Sequence, residues 1–177
     1  MKKILFLSAL FLFLFQDIAF CQTWTAVTYT VSFKIKNAGI TVTGRFTGLK
    51  AELVFNPDNL ASSSLKASVE VATIKTGIDL RDEDLQEETY FNTAKYKLIE
   101  MASTRLYRKG EQYAGIFNVT IKGVTKQIEI PFEFKRAGGE ATFTGSFPLN
   151  RRDFGVGGRT LTMADELTVN ILINAKK

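Results

Sequence analysis

Residues 127–134 read QIEIPFEF. Ile128, Ile130, Phe132 and Phe134 fall on one face of an extended chain, and Gln127, Glu129, Pro131 and Glu133 on the other, because side chains of a strand alternate sides. One face is wet and the other apolar. Pro131 cannot donate to a ladder, so its position predicts a local edge or bulge. Two isoleucines and two phenylalanines must face something: packed side chains, or a space that takes an apolar guest.

The same period of two runs outward in both directions. Val31, Phe33 and Ile35 alternate with Ser32, Lys34 and Lys36. The turn signal Asn37-Ala38-Gly39 is followed by Val42, Gly44 and Phe46. Leu53 and Phe55 end at Asn56-Pro57-Asp58-Asn59, another turn signal, and Leu65, Ala67, Val69 and Val71 form the next run. Ile99 and Met101, then Phe117, Val119 and Ile121, then Phe143, Gly145 and Phe147, then Leu167, Val169, Ile171 and Ile173 complete the pattern. About eight short strands separated by turns predict an all-β antiparallel fold, a sandwich or a barrel. Closure into a barrel removes sheet edges, and eight strands enclose either packed side chains or one small ligand.

Asp79 to Phe91, DLRDEDLQEETYF, breaks the alternation. Its early acids suit the positive start of a helix and Asp79 is suited to N-cap it, so residues 79–91 are expected to form a short helix or helical loop at a barrel end.

The N-terminus has another character. Lys2 and Lys3 precede an apolar run from Ile4 to Phe15 that is too short to span a bilayer, for which about 20 residues are needed. A positive start, an apolar core and small residues near a cleavage point mark a secretory signal. Residues 1–21 are therefore expected to be removed, leaving 22–177 as one β-domain that is periplasmic or secreted. The single cysteine, Cys21, has two readings: a residue beside a simple cleavage site, or the lipidated first residue of a lipoprotein. Phe20 stands where a lipobox carries Gly or Ala, which favours simple cleavage. Without Cys21 no disulfide can form, and the domain must be held by its core.

The chain of 177 residues carries a net charge of +5 and contains no histidine. Triads and zinc sites built on imidazole are thereby excluded. The acidic pairs Asp82/Asp84 and Glu87/Glu88 read as a solvated helix face, and nothing nominates two carboxylates flanking a cleft. No enzymatic activity, metal or redox cofactor is expected. Lys34, Lys36, Lys66, Lys122 and Lys126 are interleaved with acids on outward positions, and the large aromatics face inward, so no nucleic-acid platform is expected.

Two polar clusters have both a binding and a structural reading. Arg81-Asp82 could meet the polar end of a ligand or form a local ion pair that fixes the helical loop. Arg151 and Asp153, within Arg151-Arg152-Asp153, could bind a phosphate, since Arg presents a fork of donors. Alternatively, Asp153 holds a turn and Phe154 plugs the barrel.

Several segments, taken in order from Thr28 to Ala175, resemble the YceI-like family of exported, lipocalin-like barrels associated with polyisoprenoid binding. They are Val31-Ser32-Phe33 with Gly44-Arg45-Phe46, Ile74-Lys75-Thr76-Gly77, Arg81-Asp82 with Leu85, and Tyr90-Phe91-Asn92 with Lys95-Tyr96. Val119 to Lys126, Asn150 to Val156 and Asp165-Glu166-Leu167 complete the set. Histidines frequent in the family are replaced here by Thr28, Asn37 and Asp84, so any contact they support elsewhere is not carried over. The resemblance implies an eight-stranded lipocalin-like barrel holding a long apolar lipid, an isoprenoid or isoprenoid quinone, as carrier, store or sensor. A homodimer and transient contact with a membrane surface are compatible with that reading.

The expected lining comprises Phe33, Ile35, Phe46, Leu53, Phe55, Val69, Val71, Phe117, Val119, Ile121, Ile128, Ile130, Phe132, Phe143, Phe147, Val169 and Ile171, with Phe134 on the same face. Periodicity alone favours a solid core, which would make the protein a ligand-free stress or interaction barrel with a closed interior. The resemblance implies an occupied bore, and Arg81, Asp82, Arg151 and Asp153 are the expected candidates for its polar end.

Overall fold

The computed structural model describes residues 22–177; the expected signal segment and Cys21 lie outside the described residues. Nine strands follow in chain order: β1 (Thr23–Asn37), β2 (Ile40–Phe46), β3 (Lys50–Val54), β4 (Ser64–Glu70), β5 (Leu98–Lys109), β6 (Gln112–Ile121), β7 (Val124–Ala137), β8 (Glu140–Asn150) and β9 (Met163–Lys176). All pairings are antiparallel, and β1 also pairs with β9, which closes the sheet on itself.

The barrel nonetheless has eight positions, as the alternation predicts. β2 and β3 lie on the same side of β1 and share one register: Val31 opposes Phe46, and eight residues further along, Thr23 opposes Val54. They are one strand interrupted at residues 47–49. The interruption leaves backbone donors without ladder partners, and side chains supply the acceptors. The Tyr29 hydroxyl accepts from the N–H groups of Gly48 and Leu49 at 2.9 and 3.2 Å, and Thr73 Oγ1 accepts from Thr47 at 3.0 Å. Gly48 has φ +72°, a conformation other residues rarely adopt.

Tight turns fix the hairpin registers. Ala38-Gly39 and Lys122-Gly123 both have positive φ at both positions, the backbone that matches the twist of flanking strands. The β7–β8 ladder stops at Phe132 opposite Gly145, beside Pro131, so the edge predicted at Pro131 is present. Beyond it β7 pairs, among the described residues, with β6 alone.

The two barrel ends differ. At the end where β1 begins, Phe55 is fully buried, with Tyr113, Phe132, Phe134 and Phe143 at centroid distances of 4.7–5.7 Å. Trp24 packs edge-on to Phe134 and donates its indole N–H to the Phe55 carbonyl at 3.0 Å. Burial of each such ring contributes about 1.5–3 kcal/mol, and this cluster closes the end.

The opposite end, where β1 finishes, is covered by two segments. Residues 71–97 contain the helix α1 (Asp79–Asp84), which is shorter than the expected 79–91. Its N-cap is Ile78, and no side chain caps it, so Asp79 does not play the expected capping role. Beyond residue 84 the chain continues in turns closed by bonds such as Phe91 N–H to the Leu85 carbonyl. The second segment, residues 151–162, begins with a 3-10 turn (Arg151–Phe154).

Candidate functional site

A cavity of about 240 Å³ runs inside the barrel. Its walls are alternate residues of the strands: Ile35 of β1, Phe46 of β2, Leu53 of β3, Val69 of β4, Phe117 and Val119 of β6, Phe147 of β8 and Val169 of β9 among them. Ligand pockets typically measure roughly 300–1,000 Å³, so this void suits a thin chain better than a bulky ring system. Gly44 helps to shape it. A Cβ there would come within 2.2 Å of the Phe33 ring, which lies across the glycine.

The aromatic cluster around Phe55 bounds one end of the void through Phe132 and Phe143, while the covering segments contribute Thr76, Arg81, Leu85, Tyr90, Phe91, Phe154 and Val156 at the other. Phe91 packs edge-on to Phe46 at 6.2 Å, and Phe46 contacts Phe33 at 5.9 Å, so this end is roofed by aromatic side chains. Lys122 holds the roof together. Its Nζ donates to the carbonyls of Glu88, Thr89 and Gly155 at 2.7, 3.3 and 3.0 Å, and Gly157 N–H donates to Thr89 O at 2.9 Å.

The model of the YceI-like domain matches residues 23–175. The chain belongs to the YceI-like family. Among its relatives, a UPF0312 protein of Photorhabdus laumondii is 28% identical over 131 residues, covering 70% of this chain and 68% of its own. A UPF0312 protein of Vibrio cholerae is 28% identical over 135 residues, covering 72% and 71%. The barrel superposes on Burkholderia cenocepacia BcnA with a TM-score of 0.80 at 24% identity, covering 84% of this chain and 96% of that one. A polyisoprenoid-binding domain of Saccharophagus degradans, implicated in plant cell wall breakdown, gives 0.70 at 14% identity, covering 87% and 97%. At these identities the structural likenesses establish the fold.

Within this YceI-like barrel most of the expected lining faces the cavity, but Phe55, Val71 and Ile128 do not. Phe55 lies in the plug with Phe134. Val71 is in a 3-10 turn beyond the end of β4 and packs under the covering segment with Ile74. Ile128 lies where β7 has left β8, half-buried against the core. Conversely, Leu85, Tyr90, Phe91, Phe154, Val156 and Met163 line the cavity from outside the regular alternation or at its margin. Of these, Phe154 matches the plugging role read from its position after Asp153.

The polar candidates separate. Arg151 is buried, and all its donors are engaged within the fold. Nε donates to Ala164 O, Nη1 to the carbonyls of Val156, Gly157 and Gly158, and Nη2 to Met163 O, Thr160 Oγ1 and Asp165 Oδ1. It organises the loop and has nothing left for a phosphate. Asp153 is exposed and off the cavity; the turn there is held by Asn150, whose Oδ1 accepts from Arg152 N–H at 2.9 Å.

Arg81 and Asp82 do not pair with each other; Thr76 joins them. Asp82 Oδ1 accepts from Thr76 N–H and Oγ1–H at 2.8 and 2.6 Å, and Thr76 Oγ1 accepts from Arg81 Nε at 2.7 Å. Arg81 Nη2 donates to Thr76 O at 2.8 Å. The ionic partner of Asp82 is Lys75, at 3.6 Å. Burial pushes the Asp82 carboxyl up, yet the two hydrogen bonds from Thr76 and the charge of Lys75 outweigh it and hold the pKa below its ordinary 3.8. Asp82 is an anchor away from the cavity, whereas Arg81 lines it.

Proposed function

We propose that this protein is an exported lipid-binding barrel that holds a long apolar chain, a polyisoprenoid or a similar lipid, and that it binds without catalysing a reaction. The observation that carries the reading is the cavity of about 240 Å³, walled by apolar side chains and plugged by aromatics at one end. A barrel serving only as a packed scaffold would close this space, since interiors otherwise approach crystal density. The solved relative from Saccharophagus degradans described as polyisoprenoid-binding has the same fold, which supports the choice of ligand class.

The mechanism is shielding. Each buried carbon of a chain is worth about 0.8 kcal/mol, so one five-carbon unit contributes roughly 4 kcal/mol before entropic costs. Real affinities saturate near 18–21 kcal/mol, so lost chain freedom must offset much of a long tail's gain. The tail enters from the roofed end, because the plug closes the other, and the polar end stays beneath the covering segments.

Native mass spectrometry of protein purified from its own host tests the reading directly, and a co-purified apolar species is the expected result. Val119→Arg places a charge against the chain and should abolish lipid uptake by the delipidated barrel. A folded V119R variant with unchanged uptake overturns the bore as the site. Export is tested by the N-terminus of the purified protein, which should begin at or next to Cys21.

A further inference from the structure

We propose that the roofed end of the barrel is a membrane-docking lip. Ile40, Ile78, Leu80 and Leu161 enter the interface of a neutral phospholipid bilayer, so that a lipid tail passes between bilayer and bore without crossing water. The inference rests on the lipid-holding reading above and adds the surface from which the lipid is taken.

Exposed apolar side chains gather at this end. Of nine large ones among the described residues, six stand here: Ile40, Ile78, Leu80, Leu98, Val124 and Leu161. Leu161 is fully exposed, and Ile40 and Leu80 are 70% and 69% exposed. The other three, Val27, Tyr29 and Leu172, lie on the wall formed by β1 and β9. The plugged end differs. Its connections, residues 56–63, Gly110-Glu111 and Gly138-Gly139, carry one large apolar side chain, Leu60, and that packs on the core.

The apolar lip is continuous with the cavity. Val42, two residues after Ile40, lines the void, as do Arg81 next to Leu80 and Met163 two residues after Leu161. The β1–β2 hairpin meets the second covering segment there, with Asn37 opposite Met163 and Ala38 N–H donating to the Thr162 carbonyl at 2.8 Å. The first covering segment is tied to β2 by two backbone bonds between Arg45 and Lys75, each of 2.9 Å. Single exposed leucines need no explanation, but a group of them on three segments at the unplugged end of a lipid cavity marks an interaction surface.

Charge selects the partner. Within three residues of the four proposed tips, Lys75, Arg81 and Arg159 are balanced by Asp79, Asp82 and Glu83. Lys75 lies 3.6 Å from both Asp79 and Asp82. A lip without net charge complements zwitterionic head groups, whereas docking on an anionic surface uses clusters of roughly four to eight uncompensated Lys or Arg. Apolar side chains then supply the binding. Tips on three separate segments each insert alone into a fluid interface, while a stable protein partner needs about 800 Å² of one complementary surface.

Flotation of the purified protein with phosphatidylcholine vesicles tests this. The protein is expected to float with them, and raising ionic strength from about 0.05 to 0.5 M should change the bound fraction less than about twofold. Ile40→Ser combined with Leu161→Ser should weaken vesicle binding at least about tenfold and slow transfer of a fluorescent isoprenoid from vesicle to barrel to the same extent. Leu172→Ser, on the wall, should do neither. Leu161→Trp should report insertion directly, by a blue shift of its emission on vesicles. Dye uptake by the delipidated barrel, measured beside these, reports the lipid-holding reading separately. Vesicle binding that is absent, that survives the double substitution or that requires phosphatidylglycerol overturns the inference even where dye uptake persists, as does a Leu161→Trp emission that vesicles leave unshifted. A dimer in solution that the double substitution dissociates also overturns it, because the lip is then a contact between copies.

Discussion

Trp24 donates its indole N–H to the backbone carbonyl of Phe55, and the two side chains share one aromatic cluster with Phe134. The bond ties the start of β1 to the residue just past the end of β3, beside the two residue pairs that join those strands among the described residues. It therefore secures the seam at which the interrupted second strand completes the barrel.

Truncating this plug should be costly. Phe55→Ala is expected to lower stability by about 3–5 kcal/mol, because a fully buried ring leaves a cavity among four others. Trp24→Phe keeps much of the packing but orphans a buried carbonyl, a loss of about 1–3 kcal/mol. Urea unfolding measures both, and a loss below about 1 kcal/mol for Phe55→Ala would contradict a packed end.

Stability should depend on acid through Asp82. Its pKa is lowered by folding, so its contribution is complete above the ordinary value of 3.8 and is lost as pH falls through the depressed folded value. The stability difference between the parent and Asp82→Asn should be largest above about pH 5 and shrink steadily toward pH 2. Denaturant titrations at a series of pH values read it; a difference that grows on acidification would reverse the assigned sign.

Arg151→Met should cost about 3 kcal/mol, since Asp165 loses its short ion pair and the carbonyls of residues 156–158 lose their shared donor. Hydrogen exchange should accelerate mainly in residues 155–165. Head-group preference should not change, because the guanidinium has no donor to offer a ligand.

Lys122→Met should loosen the roof. Three carbonyls from two covering segments lose one common donor, while the residues lining the cavity are untouched. Stopped-flow exchange of a bound dye is expected to quicken roughly tenfold, in line with the loss of about 1–2 kcal/mol from charge-assisted bonds. An unaltered exchange rate would mean that the chain enters elsewhere.

Gly44→Val should displace the Phe33 ring, which a Cβ would approach to 2.2 Å. The ring has the cavity on its open side, so lipid uptake should fall at least tenfold, with a stability loss of about 1–3 kcal/mol from overpacking. Uptake assays on the folded variant decide whether Phe33 borders the bound chain.

Much of this architecture was legible in the sequence because strand alternation is local: QIEIPFEF shows its wet and dry faces without reference to any other residue. Pro131 announced the end of the β7–β8 ladder for the same reason, since a missing N–H is a property of one residue. Resemblance to the YceI-like family supplied the choice between sandwich and barrel, which alternation left open. The lining was legible along the strands and failed where position along the barrel axis mattered. Phe55 obeys the inward rule of Ile35 and Phe46, yet it lies in the plug because it follows the last residue of β3, among the rings at the closed end.

The polar end needed the tertiary structure altogether. Arg81 and Arg151 look alike in the sequence, each beside or near an aspartate. What separates them is where their donors go, and those partners include backbone carbonyls brought together only when the loops close. Sequence determined which faces are apolar, because that depends on alternating chemistry along one chain. Only the closed barrel decided which apolar residues border empty space and where the donors of each arginine go, because both depend on distances between segments far apart in the chain.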